Sequence, residues 1–285
     1  MQGSSDNKFS PSTIMTEKCE DPGKRPTPLL EFQNITVYRN DRKVLNSVSV
    51  TMCEGECIAI LGPNGSGKSS FVKTITREYY PVLEDSKLVF RIQGKEVWDI
   101  FDLRSLFGIV SNDLQSTFAR DLEGREVILS GFFSSLGLYN RCVTPLMERR
   151  ADEILEFLEI GHLGNRRMTE MSSGEARKFL IGRALIHKPK VLILDEPTNS
   201  LDMHALHHFH KTLRKIAQSG TGIILVTHTL QDIIPEITRV ILVKDGRFVL
   251  DGQKEDVLTD KKMGELFSIP ATIRRECGYY YTVGD

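Results

Sequence analysis

The sequence predicts an α/β fold: a mostly parallel sheet with helices on both faces, an N-terminal antiparallel β-subdomain, and an inserted α-helical subdomain. Three observations predict it. Short apolar runs without polar alternation, "CIAILG", "KVLILD", "GIILVTH" and "RVILVKDG", read as strands buried on both faces. Helical stretches lie between several of them, which is the order of a parallel sheet. Between residues 113 and 187 the strand pattern fades and helical spacing takes over.

Residues 1–28 are rich in Ser, Pro, Lys and Asp with little apolar periodicity, so a disordered tail is expected. "LEFQNITVYR" and "KVLNSVSVTM" then alternate apolar and polar around a polar "NDR", as in an antiparallel hairpin. "CIAILG" follows, and residues 68–78 suit a helix. "KLVFRI" and "FGIVS" are further strands. In the insertion, "EVILSGFFSSLGLY" and "PLMERRADEILEFLEI" have helical spacing. In the second, Met147, Ala151, Ile154, Leu155 and Leu158 fall on one face. A helix over about 203–218 separates "KVLILD" from "GIILVTH". "KDGRFVLDG" reads as a tight hairpin with Gly at its turns. The main domain is expected over 29–270, with a C-terminal extension over 271–285.

The chain has 285 residues, 40% hydrophobic and 26% charged, ordinary for a globular protein. A net charge of -1 gives no global field for nucleic acid, and no such partner is expected. No apolar run approaches the ~20 residues that span a bilayer, and the N-terminus lacks a signal-peptide core. The five cysteines are scattered, which suggests reduced thiols in the cytoplasm. Cys53 and Cys57 have no second pair to complete a metal site. His204 and His208 are one helical turn apart with no acid between them, so they read as a solvated helix face.

The chemistry concentrates in "LGPNGSGKSS", residues 61–70. Gly62-x-x-x-x-Gly67-Lys68-Ser69 has the spacing of a Walker A loop, so the core is that of a P-loop NTPase. Pro63, Asn64, Gly65, Ser66 and Ser70 complete it. Glycine lets backbone N–H groups close around phosphate, and a helix starting near Gly67 adds its dipole. Lys68 would reach the β- and γ-phosphates and Ser69 would meet Mg²⁺. In "VLILDEP" the strand ends in two acids. Asp195 is placed for the Mg²⁺ shell, and Glu196 for orienting or deprotonating a water. In "EMSSGEARKFLIGRAL", Ser172-x-x-Glu175 is a capping box whose free N–H groups also suit an anion.

"GPNGSGKSS", "MSSGEARK", "VLILDEPTNSLD" and "VTH", in that order and spacing, resemble an ABC-type ATPase, the ATP-binding subunit of ATP-binding-cassette systems, over about residues 29–260. The resemblance implies ATP and Mg²⁺ as ligands. It implies that Tyr38, 24 residues before Gly62, stacks on adenine, and that His228 senses the γ-phosphate. It implies that Ser200, Leu201 and Asp202 cross a dimer interface. Ser172, Ser173, Gly174 and Glu175 would contact ATP held by the opposite subunit, so a homodimer or pseudo-dimer is implied. A separate transmembrane permease is implied too, with this chain cytoplasmic and peripheral on the cytoplasmic face of the membrane.

Two departures stand out. The family's Leu-Ser-Gly-Gly-Gln reads Met171-Ser172-Ser173-Gly174-Glu175 here. The family's metal-contacting glutamine aligns with Asn112, while Gln115 is the alternative. "IVSNDLQ" with "GREVILSGFFSSLGLY" is locally similar to molybdate- and iron-chelate-uptake branches, which hints at import. The expected function is therefore to energise a transporter, of importer type, through ATP-driven dimerisation. The alternative is a soluble single-cassette ATPase in assembly or regulation. Glu196 and His228 argue against a mere nucleotide-dependent interaction module.

Overall fold

The computed structural model describes residues 28–84, 87–111, 114, 117–118 and 121–283. The tail expected over 1–28 lies outside them except for Pro28, where β1 (Pro28–Arg39) begins. β1 turns into β2 (Arg42–Cys53) through Asn40 and Asp41, both left-handed at φ 47° and 59°. Asn and Asp tolerate that conformation, and the two-residue turn sets the hairpin. β4 (Val89–Ile92) pairs antiparallel on the other edge of β1, giving the order β2-β1-β4.

The main sheet has six strands in the order β5-β6-β7-β3-β8-β9. β5 (Phe107–Ser111), β6 (Val191–Asp195), β7 (Gly222–Thr227), β3 (Cys57–Leu61) and β8 (Arg239–Lys244) run parallel. β9 (Arg247–Gln253) returns antiparallel through Asp245-Gly246, at φ 50° and 74°. Alternate residues of each central strand feed two different cores. Leu192 and Leu194 face the helical side, and Val191 and Ile193 face the antiparallel subdomain. Both faces are dry, hence the unbroken apolar runs.

Helix α1 (Lys68–Ile75) follows β3 and stops short of the expected residue 78, because Arg77 adopts a left-handed φ of 61°. α2 (Ile100–Leu106) leads into β5. The insertion holds α3 (Gly124–Ser130), α4 (Pro145–Phe157) and α5 (Ser173–Leu185). The stripe expected on α4 is the packed one: Ala151, Ile154, Leu155 and Leu158 are buried. The helix in "EVILSGFF" ends at Ser130 and tightens into a 3₁₀ turn at Gly131–Phe133. A Cβ at Gly131 would sit 2.7 Å from the Arg183 carbonyl oxygen of α5, so α3 meets α5 at backbone distance there.

α6 (Met203–Gln218) matches its expected span. After β9 come α7 (Lys254–Val257), α8 (Asp260–Phe267) and a hairpin of β10 (Thr272–Glu276) with β11 (Tyr279–Val283). Among the described residues no helix is long and apolar enough to cross a membrane. Cys57, Cys142 and Cys277 are free thiols. Cys53 is disulfide-bonded, so the expectation of uniformly reduced thiols fails there.

Candidate active site

Three parallel strands stop at the same edge of the sheet. Leu61 of β3 lies opposite Thr227 of β7, and Asp195 of β6 lies opposite Val226. The next residues on each strand are Gly62, Glu196 and His228. Parallel register alone therefore gathers segments more than a hundred residues apart, in the crevice at the carboxyl ends where α/β sheets bind ligands.

The glycine loop is shaped by close approach. A Cβ on Gly62 would lie 2.2 Å from the Val243 carbonyl oxygen and 2.9 Å from Ser66 Oγ. Gly67 caps α1 at φ 106°, and a Cβ there would be 2.6 Å from the Val44 carbonyl oxygen. Gly65 adopts φ 78° with nothing within 4 Å, so only its backbone conformation demands glycine. The β8–β9 turn buttresses the loop: Gly246 N–H donates to the Ser66 carbonyl at 2.9 Å, and Asn46 N–H donates to the Gly246 carbonyl at 2.8 Å.

Lys68 is buried at 4% exposure. Its Nζ donates to the carbonyls of Gly62 at 2.9 Å and Pro63 at 3.0 Å and lies 3.6 Å from Glu196 Oε1. Burial pushes this ammonium below the ordinary lysine range, and the Glu196 carboxylate opposes the shift. Ser69 Oγ donates to Asp195 Oδ1 at 3.2 Å. Burial pushes the Asp195 carboxyl up, against the Ser69 hydrogen bond. A desolvated carboxylate beside a hydroxyl is a hard-oxygen donor set that fits Mg²⁺. Asn112 and Gln115, the third expected metal contact and its alternative, lie outside the described residues.

Glu196 sits at φ 50°, unusual for a residue with a side chain, and is held there by its N–H donating to the Val226 carbonyl at 2.8 Å. Its carboxylate accepts from Asn199 Nδ2 at 3.1 Å and lies 3.5 Å from His228 Nδ1. Sequence reasoning missed Asn199, which differs from its polar neighbours only through this contact. Tyr38, one residue before the end of β1, is 44% exposed. Its hydroxyl donates to Glu84 Oε1 at 2.8 Å, and Lys43 Nζ lies 5.4 Å from its ring centroid. Pro63, Asn64 and Ser70 stay at least partly exposed on the loop and the first turn of α1.

Ser172 through Glu175 form a separate group. The capping box is complete: Glu175 N–H donates to Ser172 Oγ at 3.3 Å, and Ser172 N–H donates to Glu175 Oε2 at 2.8 Å. These bonds to Ser172 hold the Glu175 carboxyl below the usual range. Ser173 Oγ donates to the Ser200 carbonyl at 3.3 Å, and a Cβ on Gly174 would lie 2.9 Å from Ala205 Cβ. Asp202 caps α6, its Oδ1 accepting from Ala205 N–H at 2.7 Å. Among the described residues no hydrogen bond or ion pair joins 172–175 to the glycine loop. His204 is exposed and His208 only partly covered, as a solvated helix face requires; their Nε2 atoms lie 3.2 Å apart beside an open pocket that Ser172, Gly174 and Glu175 also line.

The family model described as ABC transporter matches residues 45–199. The Nod factor export ATP-binding protein I of Rhizobium meliloti (strain 1021) is 31% identical over 262 residues, covering 90% of this chain and 73% of that protein. An uncharacterized ABC transporter ATP-binding protein of Bacillus subtilis (strain 168) is 32% identical over 247 residues, covering 85% and 92%. The cell division ATP-binding protein FtsE of the same organism is 30% identical over 228 residues, covering 78% and 96%. The ADP conformation of an ATP-binding cassette of an ABC transporter superposes with a TM-score of 0.71 at 25% identity, covering 85% of this chain and 98% of that one. A dimeric cassette bound to ADP and phosphate, at 24% identity and a TM-score of 0.63, covers 79% and 98% and supports the fold alone.

Proposed function

This chain belongs to the ABC transporter family as an ATP-binding, ATP-hydrolysing subunit, and from that premise we propose that it drives a separate membrane permease through ATP-dependent pairing of two copies. The observation that supports this most is the convergence of Lys68, Ser69, Asp195, Glu196 and His228 at one strand edge, with Ser69 and Asp195 in hydrogen-bond contact at 3.2 Å.

In this reading Lys68 exchanges the carbonyls of Gly62 and Pro63 for the β- and γ-phosphate oxygens of ATP. Loop N–H groups, freed of any Cβ, surround those oxygens. Ser69 and Asp195 would hold Mg²⁺, which would neutralise charge building on the phosphates. Glu196 orients the attacking water and takes its proton toward the carboxylate, and His228 faces the γ-phosphate from the neighbouring strand end. Tyr38 stacks on adenine. Ser172, Ser173, Gly174 and Glu175 serve the ATP of the opposite copy, which accords with their separation from the loop in a single chain. The protein then works at the cytoplasmic face of a membrane. Direction stays outside the proposal, because the relatives named include an export protein and a cell-division protein.

Glu196→Gln is the test. The amide keeps size and hydrogen bonding but takes up no proton. ATP binding should persist, turnover should drop by about 10²-fold or more, and the protein should elute as a dimer with Mg²⁺-ATP. Hydrolysis at the wild-type rate would remove Glu196 from the chemistry.

A further inference from the structure

Behind the acidic strand tips lies a second polar cluster. Asp232, in the turn after β7, is 2% exposed. Its Oδ2 accepts from the Thr198 hydroxyl at 2.8 Å and also from the Thr227 hydroxyl. Thr198 is two residues past Glu196, and Thr227 immediately precedes His228. Arg177 of α5, also 2% exposed, donates from Nη1 to the carbonyl of Pro197, the residue after Glu196. Burial pushes that guanidinium down to about 10, and the Asp232 charge opposes the shift. One buried cluster therefore joins α5, the loop after β6 and the turn after β7.

A buried carboxylate is costly unless hydrogen bonds satisfy it. Both threonine hydroxyls converge on one oxygen, so each backbone segment is held relative to the other, not only to the carboxylate. The Glu196 backbone is already in a left-handed conformation at φ 50°, which persists only where its surroundings enforce it. The segment just past it is where the cluster takes hold.

We propose that Asp232 is a positioning residue for hydrolysis. It sets the loop carrying Glu196 against the strand end carrying His228, while Arg177 ties the same loop to the helix that begins at Ser172 through the Pro197 carbonyl. The inference rests on Glu196 and His228 being the hydrolytic pair. Asp232 acts on them through Thr198 and Thr227. A shift of α5 on pairing of two copies is passed by Arg177 to the Pro197 carbonyl and so to Glu196.

The experiment compares purified wild-type protein with Thr198→Val, Asp232→Ala, Asp232→Asn and the Thr198→Val/Asp232→Ala double variant. Steady-state hydrolysis gives kcat, and a fluorescent ATP analogue gives nucleotide affinity. Each of Thr198→Val and Asp232→Ala should lower kcat about tenfold with affinity changed less than about twofold. The double variant should be no worse than Asp232→Ala alone, because Asp232→Ala already removes the contact that Thr198→Val removes. Asp232→Asn, which keeps an acceptor oxygen, should recover part of the loss. Wild-type kcat in either single variant, losses that multiply in the double, or a parallel loss of nucleotide affinity would each overturn the proposal. If Asp232→Ala does not fold, Thr198→Val, which only exchanges a hydroxyl for a methyl, carries the same test. A wild-type chain that hydrolyses no ATP sinks the parent reading, whereas active wild type with equally active variants sinks this one alone.

Discussion

Replacing Gly62 with alanine should cost more stability than replacing Gly65, although only Gly65 has a left-handed backbone. At Gly62 the new Cβ would stand 2.2 Å from the Val243 carbonyl oxygen. Carbon and oxygen settle at about 3.3 Å, so a gap of about 1 Å must open. The opposing atom cannot rotate away, because Val243 is backbone in β8, paired with β9 on one side and close to the loop on the other. Overpacking of this kind costs about 1–3 kcal/mol, and a backbone obstacle puts the value near about 3. At Gly65 the Cβ meets nothing within 4 Å. Only the left-handed conformation at φ 78° is then penalised, at about 1 kcal/mol. For a domain of this size the melting temperature should fall by about 6–12 °C for Gly62→Ala and about 2–4 °C for Gly65→Ala. Calorimetry on both variants without nucleotide decides. Equal shifts, or a larger one for Gly65→Ala, would refute the reasoning from close approach.

Three further predictions concern the metal, the capping box and pH. Asp195→Asn should raise the Mg²⁺ concentration needed for half-maximal hydrolysis at least about tenfold, and chelation should stop turnover in the wild type; an unchanged Mg²⁺ titration would remove Asp195 from the ion's shell. Ser172→Ala breaks the capping box and should cost about 1 kcal/mol in urea unfolding; no change there would mean that α5 starts without help from Ser172. His210, stacked on Tyr279 with ring centroids 5.4 Å apart, has its pKa lowered to about 4, first by burial and then by His207. Its unfolded value lies near 6.5, so as pH falls below that the unfolded chain takes up a proton the native state refuses. Stability should therefore fall from pH 6.5 toward pH 4, by about 2 kcal/mol after discounting for partial exposure, and His210→Gln should flatten that slope. An unaltered slope would place the pH dependence elsewhere.

Much of this molecule was legible in its residues. The unbroken apolar runs marked buried parallel strands because both faces of the sheet are covered, and residues 61–70 declared the loop through spacing alone. What escaped depended on distant partners. Val89–Ile92 reads as a strand, but nothing local says that it pairs with β1 and not with the main sheet. The helix after Gly124 tightens into a 3₁₀ turn at Gly131, whose missing Cβ makes room for the Arg183 carbonyl, 52 residues away. Asn199 and Asp232 are unremarkable by type and matter through what they touch.

The strand order also carries a consequence for how the protein is made on the ribosome. β3, which launches the glycine loop, lies between β7 and β8, and Cys57 pairs with Ile223. The loop is then closed by Gly246. The phosphate-binding segment therefore leaves the exit tunnel early, but its two flanking strands and its buttress arrive only after most of the chain has been synthesised. Until then the nascent polypeptide carries the motif without the site, so premature termination anywhere before the β8–β9 turn should release a fragment unable to hold nucleotide.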